Sequence, residues 1–172
     1  MNLFDQKNNR SEEEEIASHL FQELFPIHRS IAGPGLRDSL KILKKYVELD
    51  LIEIPSGKEC NGWKVPKEWE IKEAWIKDKE GNEIVNYKNS NLHVVSFSKR
   101  ISKILNGKLL KEKIHSLPSL PSAIPYRTSY YKADWGFCMP NTTLNKIKDD
   151  HEYEVLIDST HFKGSMSLGI AA

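Results

Sequence analysis

Hydrophobic spacing along the chain changes from helical to strand-like near residue 50, and that switch places a helix pair ahead of a strand-rich remainder. Ile16, Leu20, Phe21, Leu24 and Phe25 recur at helical spacing, enough for one apolar face. Ser11 precedes them with Glu14 three residues on, the pattern of a capping box. Glu12 to Glu15 then sit at the positive end of the helix dipole, which favours a solvated first turn over an acidic site. Pro26 stops this helix. Gly33-Pro34 reads as a cap followed by proline in a first turn, opening a second helix with Leu36, Leu40, Leu43 and Val47 on one side. Its end is expected near Glu48.

Strand signals take over from there. Leu51 to Ile54 reads as a strand closed by Pro55-Ser56-Gly57, and an aromatic loop is expected around Trp63 to Trp69. Glu73–Lys77 and Glu83–Tyr87 flank the turn-rich Asp78 to Asn82, a hairpin signal. Leu92 to Phe97 is the next expected strand, followed by a helix over Leu109–His115. Three prolines in the nine residues Leu117 to Pro125 predict an extended connector, because proline bars its predecessor from helical geometry. A short helix within Pro140–Lys148 and a last strand over Tyr153–Asp158 complete the reading, with the chain running out through Gly164, Ser165 and Gly169. The polar residues 1–10 read as a frayed tail. No internal repeat is present.

Composition removes several function classes. Lys+Arg 25 against Asp+Glu 24 leaves a formal charge of +1, so no bulk field points to nucleic acid or an anionic membrane. Two cysteines, Cys60 and Cys138, are too few for a disulfide framework or a cysteine-based zinc site. No apolar run approaches the roughly 20 residues of a membrane span, and a reducing, cytoplasmic setting is the expectation. The six histidines are scattered, and His151 with His161 near Asp158 is the least poor metal set. Cys138 lacks a context that would activate its thiol and is expected to be buried and inert. Gly33-x-Gly35 lacks the third glycine and the preceding strand of a phosphate-cradling loop.

The densest anomaly lies in residues 126–138, which hold Tyr126, Tyr130, Tyr131, Trp135 and Phe137 together with Arg127, without a clean helix or strand period. Broad apolar rings, polar tips and a forked donor for carboxylates suit a binding surface, and they equally suit an aromatic core segment tethered by Arg127.

Several long motifs resemble one bacterial family. They are Leu24-Phe25-Pro26-Ile27-x-Arg29-Ser30-Ile31-x-Gly33, Glu53 to Gly57, Trp63-x-Val65-Pro66-x-Glu68-Trp69, Ser90 to Val95, Ile124 to Tyr131 and Trp135 to Cys138. In order and spacing, from about residue 12 to 160, they are similar to zinc aminopeptidase-like proteins labelled DUF4910 and DUF2172, often named for polysaccharide biosynthesis. The resemblance implies an M28-type co-catalytic zinc peptidase domain with a smaller β-rich domain inserted after its first helices. It implies an α+β chain: an N-terminal helix pair from an incomplete α/β zinc-peptidase domain, then the small β-rich insert. Residues 11–50 match the opening helices, 51–155 the insert, and 156–172 the start of the return into the peptidase domain.

In a complete enzyme of that type two metals activate water while a carboxylate acts as general base. The family's His-x-Cys-His-Pro and Asn-Asp-Asn-rich segments do not occur in these 172 residues. No catalytic residue, metal ligand or peptidase activity is therefore expected of this chain alone, with zinc and a peptide or aminoacyl-type substrate implied for the full-length family. Arg127, Tyr130, Tyr131 and Trp135 are the candidate substrate-binding residues. The alternative is a non-catalytic interaction module derived from the family. Both helix stripes should remain exposed or drive self-association through residues 11–47, since the sheet they would cover is not in the sequence.

Overall fold

The computed structural model describes residues 11–130 and 132–171, and the expected tail at 1–10 lies outside them. Helix α1 (Glu12–Leu24) starts on Ser11, whose hydroxyl accepts from the Glu14 backbone while the Glu14 carboxylate accepts from Ser11, so the capping box forms in full. Helix α2 (Pro34–Leu43) begins after Gly33 as its proline predicts. It stops at Leu43 instead of near Glu48, because the Lys45 and Tyr46 N–H groups turn back onto Ile42 and Leu43.

The strands in chain order are β1 (Asp50–Pro55), β2 (Glu59–Cys60), β3 (Trp63–Lys64), β4 (Glu68–Asp78), β5 (Glu83–Asn86), β6 (Ile101–Asn106), β7 (Ile114–His115), β8 (Phe137–Cys138), β9 (Glu152–Phe162) and β10 (Ser165–Ile170). Short helices α3 (Gly107–Lys111) and α4 (Asn141–Leu144) lie among them. A four-stranded antiparallel sheet in the order β5-β4-β9-β6 is the centre of the fold. Its inward residues alternate: Ala74 and Ile76 on β4, Tyr153, Val155 and Ile157 on β9, Ile101 on β6. Val94, Leu110, Ile114, Phe137, Met139 and Ile147 cover them from the irregular layer between residues 91 and 147. The mixed helix-and-sheet class is as expected.

Several elements differ from the sequence reading. The strand expected at Leu92–Phe97 is a short 3-10 turn at Asn91–His93, followed by single bridges from Val94 to Phe137 and from Ser96 to Thr128. Phe97 ends any extension there, with a left-handed φ of 71°. β6, which the sequence reading passes over, takes the place beside β9; its Ile104 is 66% exposed, so the strand shows too little alternation to be seen. Trp69 belongs to β4 rather than to an aromatic loop, and it is buried. The proline stretch folds into turns, with the Leu120 N–H on Leu117 and the Ala123 N–H on Leu120. The helix expected at 109–115 shortens to α3, and β9 extends to Phe162 before the chain turns back as β10.

β10 pairs with β1 as a separate antiparallel ribbon, Asp50 opposite Ile170 and Pro55 opposite Ser165. This ribbon and the helix pair carry little burial. No residue of α1 is buried, Ser39 is the one buried residue of α2, and Leu51, Ile52, Leu168 and Ile170 are exposed.

The helix pair is joined to the sheet at the start of β4. Trp69 donates its backbone N–H to the Ala32 carbonyl at 3.0 Å, and a Cβ at Gly33 would run into the Trp69 carbonyl. Beside it the Arg37 guanidinium donates to Glu68 at 2.7 Å and lies 3.5 Å from Glu53. Glu68 is almost wholly buried and also accepts the Ser165 N–H at 2.8 Å, while Glu53 accepts the hydroxyls of Ser165 and Ser167. One arginine thus ties α2 to β1 and β4, and the two carboxylates it pairs with hold β10. Arg37→Met should cost about 3 kcal/mol of unfolding free energy, because it strands a buried carboxylate. Gly33→Ala should cost about 1–3 kcal/mol by overpacking. Urea denaturation of the two variants checks both, and an effect below about 0.5 kcal/mol for either contradicts its role.

Candidate functional site

A cleft of about 740 Å³ opens where the helix pair, β10 and the aromatic loop meet. The α1–α2 loop contributes Ile27, His28 and Arg29, α2 contributes Leu36 and Leu40, and β10 contributes Met166 and Leu168. Tyr126 and Tyr130 form the facing wall.

The aromatic loop is held by backbone bonds to the segment before β6. Ser96 donates its N–H to Arg127 at 2.8 Å, Ser129 donates to Ser96 at 3.0 Å, and Val95 donates to Gly136 at 3.0 Å. Phe97 is the post around which the aromatics gather. Its ring meets Tyr130 edge-on at 5.3 Å, His161 edge-on at 4.7 Å and Trp69 at 6.3 Å. The left-handed backbone of so bulky a residue costs roughly 1–3 kcal/mol and needs its neighbours to hold it. The Trp69 indole and the Ser159 hydroxyl both donate to the Ser98 carbonyl at 2.8 Å, pinning the chain immediately after it.

The structure separates the four residues singled out by the sequence. Tyr130 lines the cleft, and its hydroxyl is 3.0 Å from that of Tyr126. Arg127 does not line it; its charge is felt at His115 and Cys138, behind the loop. Trp135 packs on the sheet's core, with the Lys113 ammonium 5.8 Å from its ring and Lys113 held by Asp134 at 2.7 Å. Tyr131 lies outside the described residues. The cleft residues that sequence reasoning passed over are His28, Arg29 and Tyr126. The spacing of Tyr126 and Tyr130 was visible, but their meeting with the α1–α2 loop is set by Trp69 and Ala32.

His28 is the most perturbed histidine. Its ring stacks on Tyr87 at 5.3 Å and meets Trp69 edge-on at 5.0 Å, and its Nδ1 is buried without a partner. Burial, helped by the Arg29 charge, lowers its pKa to about 4, so it is neutral at pH 7. Burial also lowers His161 and His115. The Cys138 thiol is fully buried and pushed up to about 12 by that burial, which leaves it unreactive, and Cys60 is free.

No group of three or more His, Cys, Asp or Glu among the described residues fits a metal ion. The set His151, His161 and Asp158 does not assemble. His151 bonds to Asp150 before β9 begins and His161 sits on Phe97 near its end, about 30 Å away at the rise of a strand. These residues do not fit the zinc implied by the family resemblance, and no catalytic step through a metal is assigned to them. No described helix is long and apolar enough to cross a membrane.

Fold and site together define a four-stranded antiparallel domain that carries a helix pair and presents a mostly apolar cleft at their junction. The chain belongs to the DUF2172 family, a domain of unknown function whose model matches residues 68–160. It is 41% identical over 151 residues to a Clostridium acetobutylicum protein provisionally named a polysaccharide biosynthesis protein with an aminopeptidase-like domain, covering 88% of this chain and 35% of that protein. A crystal structure from the same organism, provisionally described as a peptidase, superposes with a TM-score of 0.85 at 40% identity, over 90% of this chain and 36% of the other. The chain thus spans about a third of the length of these relatives.

The pH dependence of stability follows from His28. Its folded pKa lies below the unfolded value of 6.5, so the unfolded chain binds the proton first. Stability should be flat well above pH 6.5 with respect to this group and fall as pH drops toward 4, by on the order of 3 kcal/mol. His28→Phe should remove that part of the slope in chemical denaturation at pH 4.5 and 7.5, and an unchanged slope would place the effect elsewhere.

Proposed function

We propose that this chain forms the N-terminal, substrate-facing part of a zinc-dependent, M28-type aminopeptidase-like hydrolase linked to surface polysaccharide biosynthesis. The supporting observation is the one-sidedness of its first helices and of the β1–β10 ribbon. Leaving large side chains such as Phe21 and Phe25 in water forgoes roughly 1.5–3 kcal/mol each, as expected of elements whose covering layer lies elsewhere in a larger protein. The similarity to relatives about two and a half times as long supports the same reading.

On this reading residues 11–50 open the peptidase domain, 51–155 form its β-rich insert and 156–172 lead back. The metal ligands come from the part of the protein beyond these residues. Arg127, Tyr130, Tyr131 and Trp135 belong to the insert's contribution to substrate binding, with a peptide or aminoacyl-type compound as substrate. In the isolated chain the exposed faces of residues 11–47 are expected to self-associate, which sedimentation at rising concentration would detect.

Two measurements test this. The complete protein should release amino acids from peptides, lose that activity to a chelator and regain it with zinc, whereas the 172-residue chain alone should release none. Release by the chain alone contradicts the reading, and an inactive, zinc-loaded complete protein favours a non-catalytic interaction module. In the complete protein Arg127→Ala should raise KM about tenfold at unchanged Tm. A lowered Tm with unchanged KM would make Arg127 a tether of the loop.

A further inference from the structure

The chain holds two Asn-Gly pairs, Asn61-Gly62 and Asn106-Gly107, in opposite surroundings. An asparagine before glycine is open to attack on its own amide, because no side chain shields the glycine nitrogen. Asn61 and Gly62 are the two central residues of the β2–β3 hairpin, with φ of 50° and 78°, the doubly left-handed turn that this dipeptide favours. Both are exposed, and open space surrounds Gly62. Among the described residues no hydrogen bond holds the Asn61 side chain or the Gly62 N–H. The pairs Cys60–Trp63 and Glu59–Lys64 secure the tip. Asn106 is exposed too, yet it is locked. Its side chain accepts the Leu109 N–H at 2.9 Å as the cap of α3, and the Gly107 N–H donates to the His151 carbonyl at 2.8 Å. Gly107 is buried, and a Cβ there would run into the Lys148 carbonyl.

We propose that Asn61 is a site of spontaneous deamidation in the folded protein, and that the fold protects Asn106. The Gly62 nitrogen gives up its proton and bonds to Cγ of Asn61, the Cγ–Nδ2 bond breaks, and ammonia leaves with that proton. Water then opens the cyclic imide. Attack at Cγ yields aspartate, and attack at the Asn61 backbone carbonyl yields isoaspartate, whose main chain runs through the side-chain carbons. No oxidant or reductant takes part. Either product lowers the formal net charge from +1 to zero. The fold sets the rate through local opening, since ring closure needs rotation about the asparagine backbone. At Asn61 that rotation opens a short hairpin tip, whereas at Asn106 it breaks the α3 cap and lifts a buried glycine off His151 and Lys148. Asp-Gly suits the same turn, so the aspartate form keeps the hairpin, while the extra main-chain atom of isoaspartate disrupts its two-residue loop. The inference is independent of the hydrolase reading.

Ageing of the folded 172-residue chain at mildly alkaline pH, followed by peptide mapping under acidic conditions, tests this. The fragment holding residue 61 should gain aspartate and isoaspartate at least about tenfold faster than the fragment holding residue 106. In urea both asparagines are released from the fold, and the two rates should agree within about threefold. Hydroxylamine, which cuts a chain at the imide, should cleave the folded protein between residues 61 and 62 and spare the bond between 106 and 107. Comparable rates at the two sites in the folded chain would overturn the proposal. So would an Asn61 that stays intact when folded while the urea-unfolded chain is converted, or a difference between the sites that persists undiminished in urea.

Discussion

Arg37 and Glu68 meet at the point where two partly independent structures are joined. The Glu68 carboxylate is almost wholly buried at the first position of β4, and a charge in that position persists only with a partner and hydrogen bonds. Arg37 supplies the charge from α2, and the Ser165 N–H supplies a backbone bond from β10. Next to them the Trp69 N–H on Ala32 sets the closeness of approach, which the absence of a side chain at Gly33 permits. The cleft depends on this junction, since one of its walls moves with α2 and the other with the sheet.

The sheet itself rests on simpler physics. Inward alternation on β4 and β9 buries Ala74, Ile76, Val155 and Ile157 completely, and a layer of loops and short helices closes over them. This half has a full core. The helix pair and the β1–β10 ribbon do not: Ile16, Phe21, Phe25, Leu51, Ile52, Leu168 and Ile170 are exposed, while Leu20, Leu24, Leu36, Leu40 and Leu43, expected to stay exposed, are half-buried between the helices and the ribbon. Burial is therefore uneven along the chain, dense where the DUF2172 match lies and sparse on either side of it. The cleft sits on that boundary. It combines donors from a strained aromatic post, through Phe97 and Tyr130, with an arginine from a helix connection.

Local chemistry made much of the fold legible. The capping box at Ser11 and Glu14, the Gly33-Pro34 start of α2 and the hairpin turn at Asp78 to Asn82 each act over a few residues, so their patterns survive folding unchanged. β6 and β10 were not legible, because Ile104, Leu168 and Ile170 are exposed and leave no clean inside–outside alternation to read. Phe97 misled in the opposite direction. An apolar run that reads as a strand ends in a left-handed residue held by contacts with Trp69, Tyr130 and His161, all distant in sequence.

The sequence by itself determined the helix pair ahead of a strand-rich remainder, the aromatic cluster around residue 130 and membership of a recognisable family, because those depend on spacing and on motifs read in line. Tertiary structure alone decided which aromatics share a cleft. Tyr126 and Tyr130 line it together with Arg29, whereas Arg127 and Trp135 lie elsewhere, although these four aromatic-loop residues belong to one short segment. Side-chain direction in an irregular loop follows from its long-range backbone bonds, here Ser96 to Arg127 and Ser129 to Ser96, and no local period encodes those.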